Sequence, residues 1–218
     1  YDLLNRLLSF GLDARWRRKA VSFLSEKRGG TILDIAAGSG DVSLDLLTIR
    51  PARIVAADFA PEMLRVFKRK LAGRGDAGSV ELVVCDALRL PFRDGSFDAT
   101  IVAFGIRNFA DRETGLREMR RVLVPGGISV ILELSKPSGP LMHGLYNLYA
   151  SIGIPLLGRI ISRHESAYRY LPQSIRNFPE RSDFLSSMAK AGFTALEAHP
   201  VTFGAATIYI GRKPGLTS

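Results

Sequence analysis

One cysteine, Cys85, in 218 residues leaves no partner for an internal disulfide and no thiolate set for a zinc site. The three histidines, His143, His164 and His199, are scattered, so a histidine metal centre is not indicated either. Long apolar runs are also missing. Leu141 to Gly158 carries no formal charge, yet it is broken by Gly144, Asn147, Gly153 and Pro155 and falls short of the roughly 20 residues that span a bilayer. It reads instead as a lid or an interfacial helix, with ordinary core packing as the plain alternative. No secretory leader is visible, and a start at Tyr1 without Met reads as a fragment lacking a short N-terminal piece. Repeats, linkers and low-complexity tracts are absent, which leaves one domain over 1–218. The cysteine usage points to a reducing cytoplasm.

Acids are the scarcer charge: 21 against 30 Lys and Arg, for a net charge of +9. The excess is spread along the chain, with a local cluster at Arg15, Arg17, Arg18 and Lys19. Nucleic acid, an anionic membrane surface or a merely solvated face each accounts for such a balance.

What is present is more specific. TILDIAAGSGDVSLDL, Thr31 to Leu46, is an apolar run ending near Asp34, a glycine turn at Gly38-Ser39-Gly40, and the start of a helical pattern. RIVAADFAPEML, Arg53 to Leu64, adds a second apolar run that ends in Asp58. Strand, tight turn, helix, strand with a terminal carboxylate is the arrangement that cradles a nucleoside. Gly38 and Gly40 allow positive φ and close approach of a ligand to the backbone. Asp58 can accept from both hydroxyls of a ribose. A GxGxxG fingerprint begun at Gly38 would need glycine where Ser43 stands, and Asp34 and Asp41 beside the turn would repel a pyrophosphate. S-adenosylmethionine has no phosphate and carries a cationic sulfonium, so the same acids suit it.

Strands are expected at Thr31–Ile35, Arg53–Ala57, Val80–Cys85, Asp98–Phe104, Ile128–Leu134, Ala195–Val201 and Ala205–Arg212. Between them lie amphipathic helices: one around Trp16 to Leu24, one from Asp41, one from Pro61, one capped by Asp111 and one from about Glu180. Pro125-Gly126-Gly127 reads as the stop of the fourth. The alternation predicts an α/β fold, a parallel sheet with helices on both faces. Residues 1–28 form N-terminal helices, 29–134 the cofactor-binding half, 135–178 a substrate lid insertion, and 179–218 a closing helix and strand pair.

Several phrases go beyond a generic nucleoside fold: YDLLNRLLSFGLDARWRRKAV, DIAAGSGD, DALRLPFRDGSFDA, AFGIRNF, LVPGGISVILELSKP and AYRYLPQSIRNFP, in that order. Through them the chain resembles the quinone-biosynthesis C-methyltransferases, over essentially its whole length. Phe178-Pro179 leans toward the menaquinone branch. The resemblance implies a Rossmann-like class I methyltransferase, a mostly parallel sheet of seven strands with the last antiparallel. It implies methyl transfer from S-adenosylmethionine to a ring carbon of a prenylated hydroquinone, demethylmenaquinol or the equivalent ubiquinone precursor. Carried over by residue, cofactor contacts fall on Ser39 in the turn with Gly38 and Gly40, on Asp58, and on Asp86 with Ala87 around the adenine. Ala103 stands where a serine or threonine is frequent, so one polar cofactor contact is expected to be absent. Residue 86 varies between Asn and Asp, and Asp86 fits an adenine-amino acceptor.

Arg107 and Asn108 lie just past the fourth strand, where such sheets place chemistry. With Tyr168 they form the expected catalytic set: Arg107 favours phenolate character in the quinol, the other two position the ring, and a water or His164 takes the proton. A plain salt bridge is the structural alternative for Arg107. Metal is not expected. The expected partners are the prenylated quinol and the membrane surface at the inner face of the cell membrane, without nucleic acid and with homo-oligomerisation left open. An RNA or protein methyltransferase is the competing enzyme, although FGIRN replaces any NPPY-like motif. A non-catalytic S-adenosylmethionine-binding protein is the competing non-enzyme.

Overall fold

A computed structural model of the protein describes residues 11–135, 174, 175 and 177–215. Helix α1 (Asp13–Ser22) leads into β1 (Thr31–Ile35), followed by α2 (Asp41–Leu46) and β2 (Arg53–Asp58). Then come α3 (Pro61–Leu71), β3 (Val80–Val84), β4 (Phe97–Ala103), α4 (Arg112–Val122) and β5 (Leu123–Leu134). Helix α5 (Arg181–Lys190), β6 (Thr194–Val201) and β7 (Ala206–Arg212) complete the described order. The seven strands form one sheet in the order β3-β2-β1-β4-β5-β7-β6. Only β7 runs against its neighbours, antiparallel to both β5 and β6.

Alternating residues of the central strands go to opposite faces, which is why these strands read as continuous apolar runs. Ile32, Ile54, Ile101, Val130 and Ile208 pack with Trp16, Ala20, Val21 and Leu24 from the α1 region and Val42 and Leu46 of α2. Leu33, Val55, Val102, Ile131 and Tyr209 pack on the other face with Leu116 and Met119 of α4 and Phe184 and Met188 of α5. Helix ends carry the expected chemistry. Pro61 opens α3, which starts with Glu62 and ends with Lys68, Arg69 and Lys70, complementing the helix dipole. Asp111 caps α4 by accepting the Thr114 N–H at 3.1 Å.

The strand positions agree with the sequence pattern to within a residue or two, with one exception. Pro125-Gly126-Gly127 does not close a helix and wait for the next strand; β5 already begins at Leu123. Phe97 pairs with Leu123, and the register then shifts so that Ala99 faces Ile128. The Pro-Gly-Gly run is the bulge inside that strand, where a missing N–H and a positive φ at Gly126 are tolerated.

β1 and β4 are adjacent although β2 and β3 intervene in sequence, so the order of the sheet reverses between them. Crossovers leave to opposite faces at that point, and a crevice opens outside the carboxyl ends of the strands.

Candidate active site

The crevice is a cavity of about 630 Å³ at the tips of β1, β2 and β4. That volume suits a nucleoside-sized ligand with room for part of a substrate. Ser39, Gly38, Asp58, Asp86, Ala87 and Asn108 all line it, so most of the residues singled out in the sequence do converge. Gly40 lies behind this wall.

The glycine turn is shaped by contacts rather than by glycine content alone. Gly38 and Gly40 have φ of 56° and 85°. A Cβ on Gly40 would lie 2.0 Å from the Phe67 ring, whereas one on Gly38 would meet only the Met63 methyl, at 3.7 Å. The Asp58 carboxylate locks this turn to the start of α3. Its Oδ2 accepts the Gly38 N–H at 2.7 Å and its Oδ1 the Ala60 N–H at 2.8 Å. Each carboxylate oxygen has a second lone pair, so these bonds orient the group and leave acceptor capacity toward the cavity. Ala36 and Phe104, at the tips of β1 and β4, both have positive φ, and a Cβ on Gly105 would lie 2.7 Å from that of Ala36. The two strand tips approach closely there.

Asp86 is exposed at the rim, where its Oδ1 accepts the Leu88 N–H at 2.9 Å. The loop behind it is stapled to α4: Arg121 donates to the carbonyls of Phe92 and Leu90 and to Asp94 and Glu118. Cys85 lines the cavity as a neutral thiol, pushed up to about 11 by burial and by the nearby Asp86 and Asp58. Asp34 sits beneath the turn, fully buried. Its Oδ2 accepts the Ser43 hydroxyl at 2.6 Å, and its Oδ1 has no hydrogen-bond partner. Burial pushes it up to about 7 against the Ser43 bond, with the Asp58 charge adding to the rise.

Two charged groups at the site escape a reading of the sequence. Arg17 looks like one of a surface cluster, but the structure separates it from Arg15, Arg18 and Lys19, which are exposed. Its guanidinium reaches Asp13 at 2.5 Å and Asp45 at 3.1 Å, with Asp41 at 3.8 Å, and so ties α1 to α2 over the cavity. Lys70 reaches back from the end of α3 to Ser39 Oγ at 2.7 Å and Asp41 at 2.6 Å. For Arg17 a signal is present: 13, 17 and 20 share one helical face, and Asp13 and Ala20 on it are buried.

Arg107 is held off the cavity wall. It follows β4 as expected, in a 3₁₀ turn at Ile106–Asn108, but its side chain is wholly buried and turned away from the cavity. Its Nη1 donates to the Phe104 carbonyl at 2.6 Å and to Glu133 Oε1 at 2.7 Å, while its backbone N–H donates to Glu133 Oε2 at 3.1 Å. A guanidinium beside an apolar strand tip is stable there only with a compensating carboxylate, and Glu133 of β5 supplies it. Its neighbour Asn108 is the member of the pair on the cavity wall. Tyr168, His143, His164 and the uncharged run from Leu141 to Gly158 lie outside the described residues. His199 sits on β6, 2.7 Å from Glu197, and the described residues contain no cluster suited to a metal.

Among the described residues, four acids, Asp13, Asp41, Asp58 and Asp86, line the cavity, against Arg17 on its wall and Lys70 bonded to Ser39 and Asp41. That balance disfavours a pyrophosphate and fits S-adenosylmethionine, whose sulfonium and ammonium are positive. The shaped glycine turn, the oriented Asp58 and the apolar walls fit its ribose and adenine. Known proteins point the same way. The model of the ubiE/COQ5 methyltransferase family matches residues 1–213. The chain is 48% identical to a demethylmenaquinone methyltransferase of Thermus thermophilus over 215 residues, 98% of this chain and 96% of that one. It is 45% identical to a ubiquinone/menaquinone biosynthesis C-methyltransferase UbiE of Geotalea daltonii, covering 98% and 91%. In structure it is similar to a S-adenosylmethionine-dependent methyltransferase of Thermotoga maritima (TM-score 0.65, 19% identity, 96% and 95% covered). It is also similar to a phosphoethanolamine N-methyltransferase of Haemonchus contortus solved with S-adenosylmethionine (0.65, 17%, 90% and 52%), a likeness of fold alone. With a family model spanning residues 1–213 and relatives this close over nearly the full length, the chain belongs to the ubiE/COQ5 methyltransferase family.

Proposed function

We propose that this enzyme methylates a ring carbon of a prenylated hydroquinone, demethylmenaquinol, with S-adenosylmethionine as methyl donor. The observation that carries the reading is the cavity at the sheet's switch point, acid-rimmed and apolar-walled, with Asp58 already oriented by Gly38 and Ala60. Asp58 holds the ribose hydroxyls, Asp86 and Ala87 the adenine, and Ser39 with its glycine neighbours the amino-acid end. Bound there, the cofactor supplies an activated methyl group, so the protein's task is to make the ring carbon nucleophilic.

A phenolic hydroxyl titrates near ~10, so phenolate character at pH 7 needs about three units, or ~4 kcal/mol. One charge-assisted hydrogen bond gives ~1.5–3 kcal/mol, so more than one group must contribute. Asn108 faces the cavity and can take a ring oxygen. Arg107 acts through it, by fixing the Phe104 carbonyl and the 3₁₀ turn from behind. Tyr168 is retained as a second ring contact from the sequence resemblance. The prenyl tail stays in lipid, each CH₂ being worth about 0.8 kcal/mol there, so the enzyme meets the ring at a membrane surface.

The name of the Geotalea relative favours a second reading, in which the ubiquinone precursor is also accepted. Labelled S-adenosylmethionine offered with demethylmenaquinol, an unmethylated ubiquinone precursor and bulk RNA separates the readings. Label is expected in the naphthoquinol first. Label in RNA alone would overturn the proposal.

A further inference from the structure

The connection between β6 and β7 places two successive non-glycine residues at positive φ. Thr202, Phe203 and Gly204 have φ of 46°, 54° and 86° in succession, and Thr202 is β-branched. A β-branched residue in that region is a genuine outlier, and such strain persists only where the surroundings hold it. Here they do. The Trp16 indole N–H donates to Thr202 Oγ1 at 2.8 Å, and the Ser135 hydroxyl donates to the Gly204 carbonyl at 2.8 Å. The Ser135 N–H donates to the Ala205 carbonyl at 3.1 Å. The product of this pinning is Phe203, a large apolar side chain left 76% exposed.

Its place matters. β6 runs parallel to β5, so the turn after Val201 lies at the carboxyl ends of the parallel strands, the edge of the sheet where the cavity opens. The bond from Trp16 ties it to α1. The exposed residues of that helix are Arg15, Arg18, Lys19 and Ser22, basic in all but one case. Its acid, Asp13, is turned inward onto Arg17.

We infer that the Phe203 turn and the outer face of α1 together form the enzyme's contact with an anionic lipid bilayer. The phenylalanine enters the headgroup–acyl boundary while Arg15, Arg18 and Lys19 meet lipid phosphates, as in other interfacial contacts that pair aromatic insertion with basic charge. The inference rests on the proposed quinol reading and adds to it the surface through which the substrate is met.

The test uses the full chain with vesicles of phosphatidylcholine, with and without phosphatidylglycerol. Phe203→Trp should show a blue shift and quenching by brominated lipid only on the anionic vesicles, while the native chain, whose tryptophan is the buried Trp16, should show neither. Phe203→Asp should weaken vesicle binding roughly ten-fold or more. It should reduce methylation of vesicle-embedded quinol similarly, yet leave turnover of a water-soluble short-chain quinol within about two-fold, since Phe203 does not line the cavity. Arg15→Glu with Arg18→Glu should abolish the preference for anionic lipid. Absence of quenching in the Phe203→Trp variant, together with unchanged binding by Phe203→Asp, would overturn the surface, whatever the substrate. Phe203-dependent vesicle binding without methylation of any quinol would leave the surface standing and remove the substrate reading instead.

Discussion

Single residues at the site divide into those that touch ligand and those that hold them. On the proposed reading Asp58 does both. On that reading Asp58→Ala loses two charged ribose bonds at ~1.5–3 kcal/mol each, so cofactor affinity should fall roughly a hundred-fold or more by calorimetry. Asp58→Asn should fare little better, because an amide would set its N–H₂ against the Gly38 or Ala60 N–H. A change below threefold for Asp58→Ala would take it out of the site. Arg107 only holds. Arg107→Gln leaves Glu133 uncompensated in the core, and breaking a buried pair this way costs about 3–5 kcal/mol. Its activity loss should track the loss of stability, with partial recovery in the Arg107→Gln, Glu133→Gln double variant and none at alkaline pH. A stable but inactive Arg107→Gln, rescued by raising the pH, would return the guanidinium to the ring oxygen. Asp34 makes a stability prediction. With its folded value raised to about 7, protonation favours the folded state, and that contribution is lost as pH rises from the ordinary carboxylate range through about 7. Asp34→Asn keeps an acceptor for Ser43 and no charge. Its stability advantage over the parent in urea unfolding should therefore widen by about 2–3 kcal/mol between pH 5 and pH 8. A constant difference would mean that Asp34 is ionised throughout.

Elements place these residues, and at this scale the sequence is most legible. β1, β2 and β4 are largely buried and bounded by turn residues, so their apolar runs stand out. Asp111 and Pro61 mark helix starts for local reasons that need no tertiary partner. The β5 bulge is not legible, because Pro-Gly-Gly stops a helix and interrupts a strand with the same residues; only the pairing of Phe97 with Leu123 decides. Arg17 and Arg107 are misplaced by the sequence for a related reason. Whether an arginine is solvated or buried depends on which carboxylate the fold brings to it, and Asp45 and Glu133 lie 28 and 26 residues away. The glycine turn gives the sharpest test at this scale. Gly40→Ala drives a methyl into Phe67 and should prevent the turn from forming, with cofactor binding lost and the melting temperature lowered. Gly38→Ala has room, so its cost should stay near the ~1–2 kcal/mol of a left-handed alanine. Equal effects of the two substitutions in thermal melts would contradict this packing.

The whole molecule brings two halves to one edge of a sheet. β1 to β3 with their glycine turn and Asp58 form the part of the cavity that the proposed reading gives to the nucleoside. α1 and the turn after β4 add Asp13, Arg17 and Asn108 to its wall, and the β6–β7 connection carries Phe203 outside it. Among the described residues no helix is long and apolar enough to cross a membrane. A net charge of +9 by itself suggests polyanions. In the structure part of the basic cluster turns inward onto Asp13, Asp41 and Asp45, and the rest forms the outer face of one helix. The central claim is that this edge joins a cationic methyl donor to a quinol ring carbon. Its most direct test is a reaction of the purified chain with demethylmenaquinol and S-adenosylmethionine labelled with carbon-13 in its methyl group, read by NMR of the extracted quinone. The expected result is a single labelled methyl bonded to the ring carbon, in step with the S-adenosylhomocysteine released. Label on a ring oxygen, or S-adenosylhomocysteine formed without labelled quinone, would contradict it.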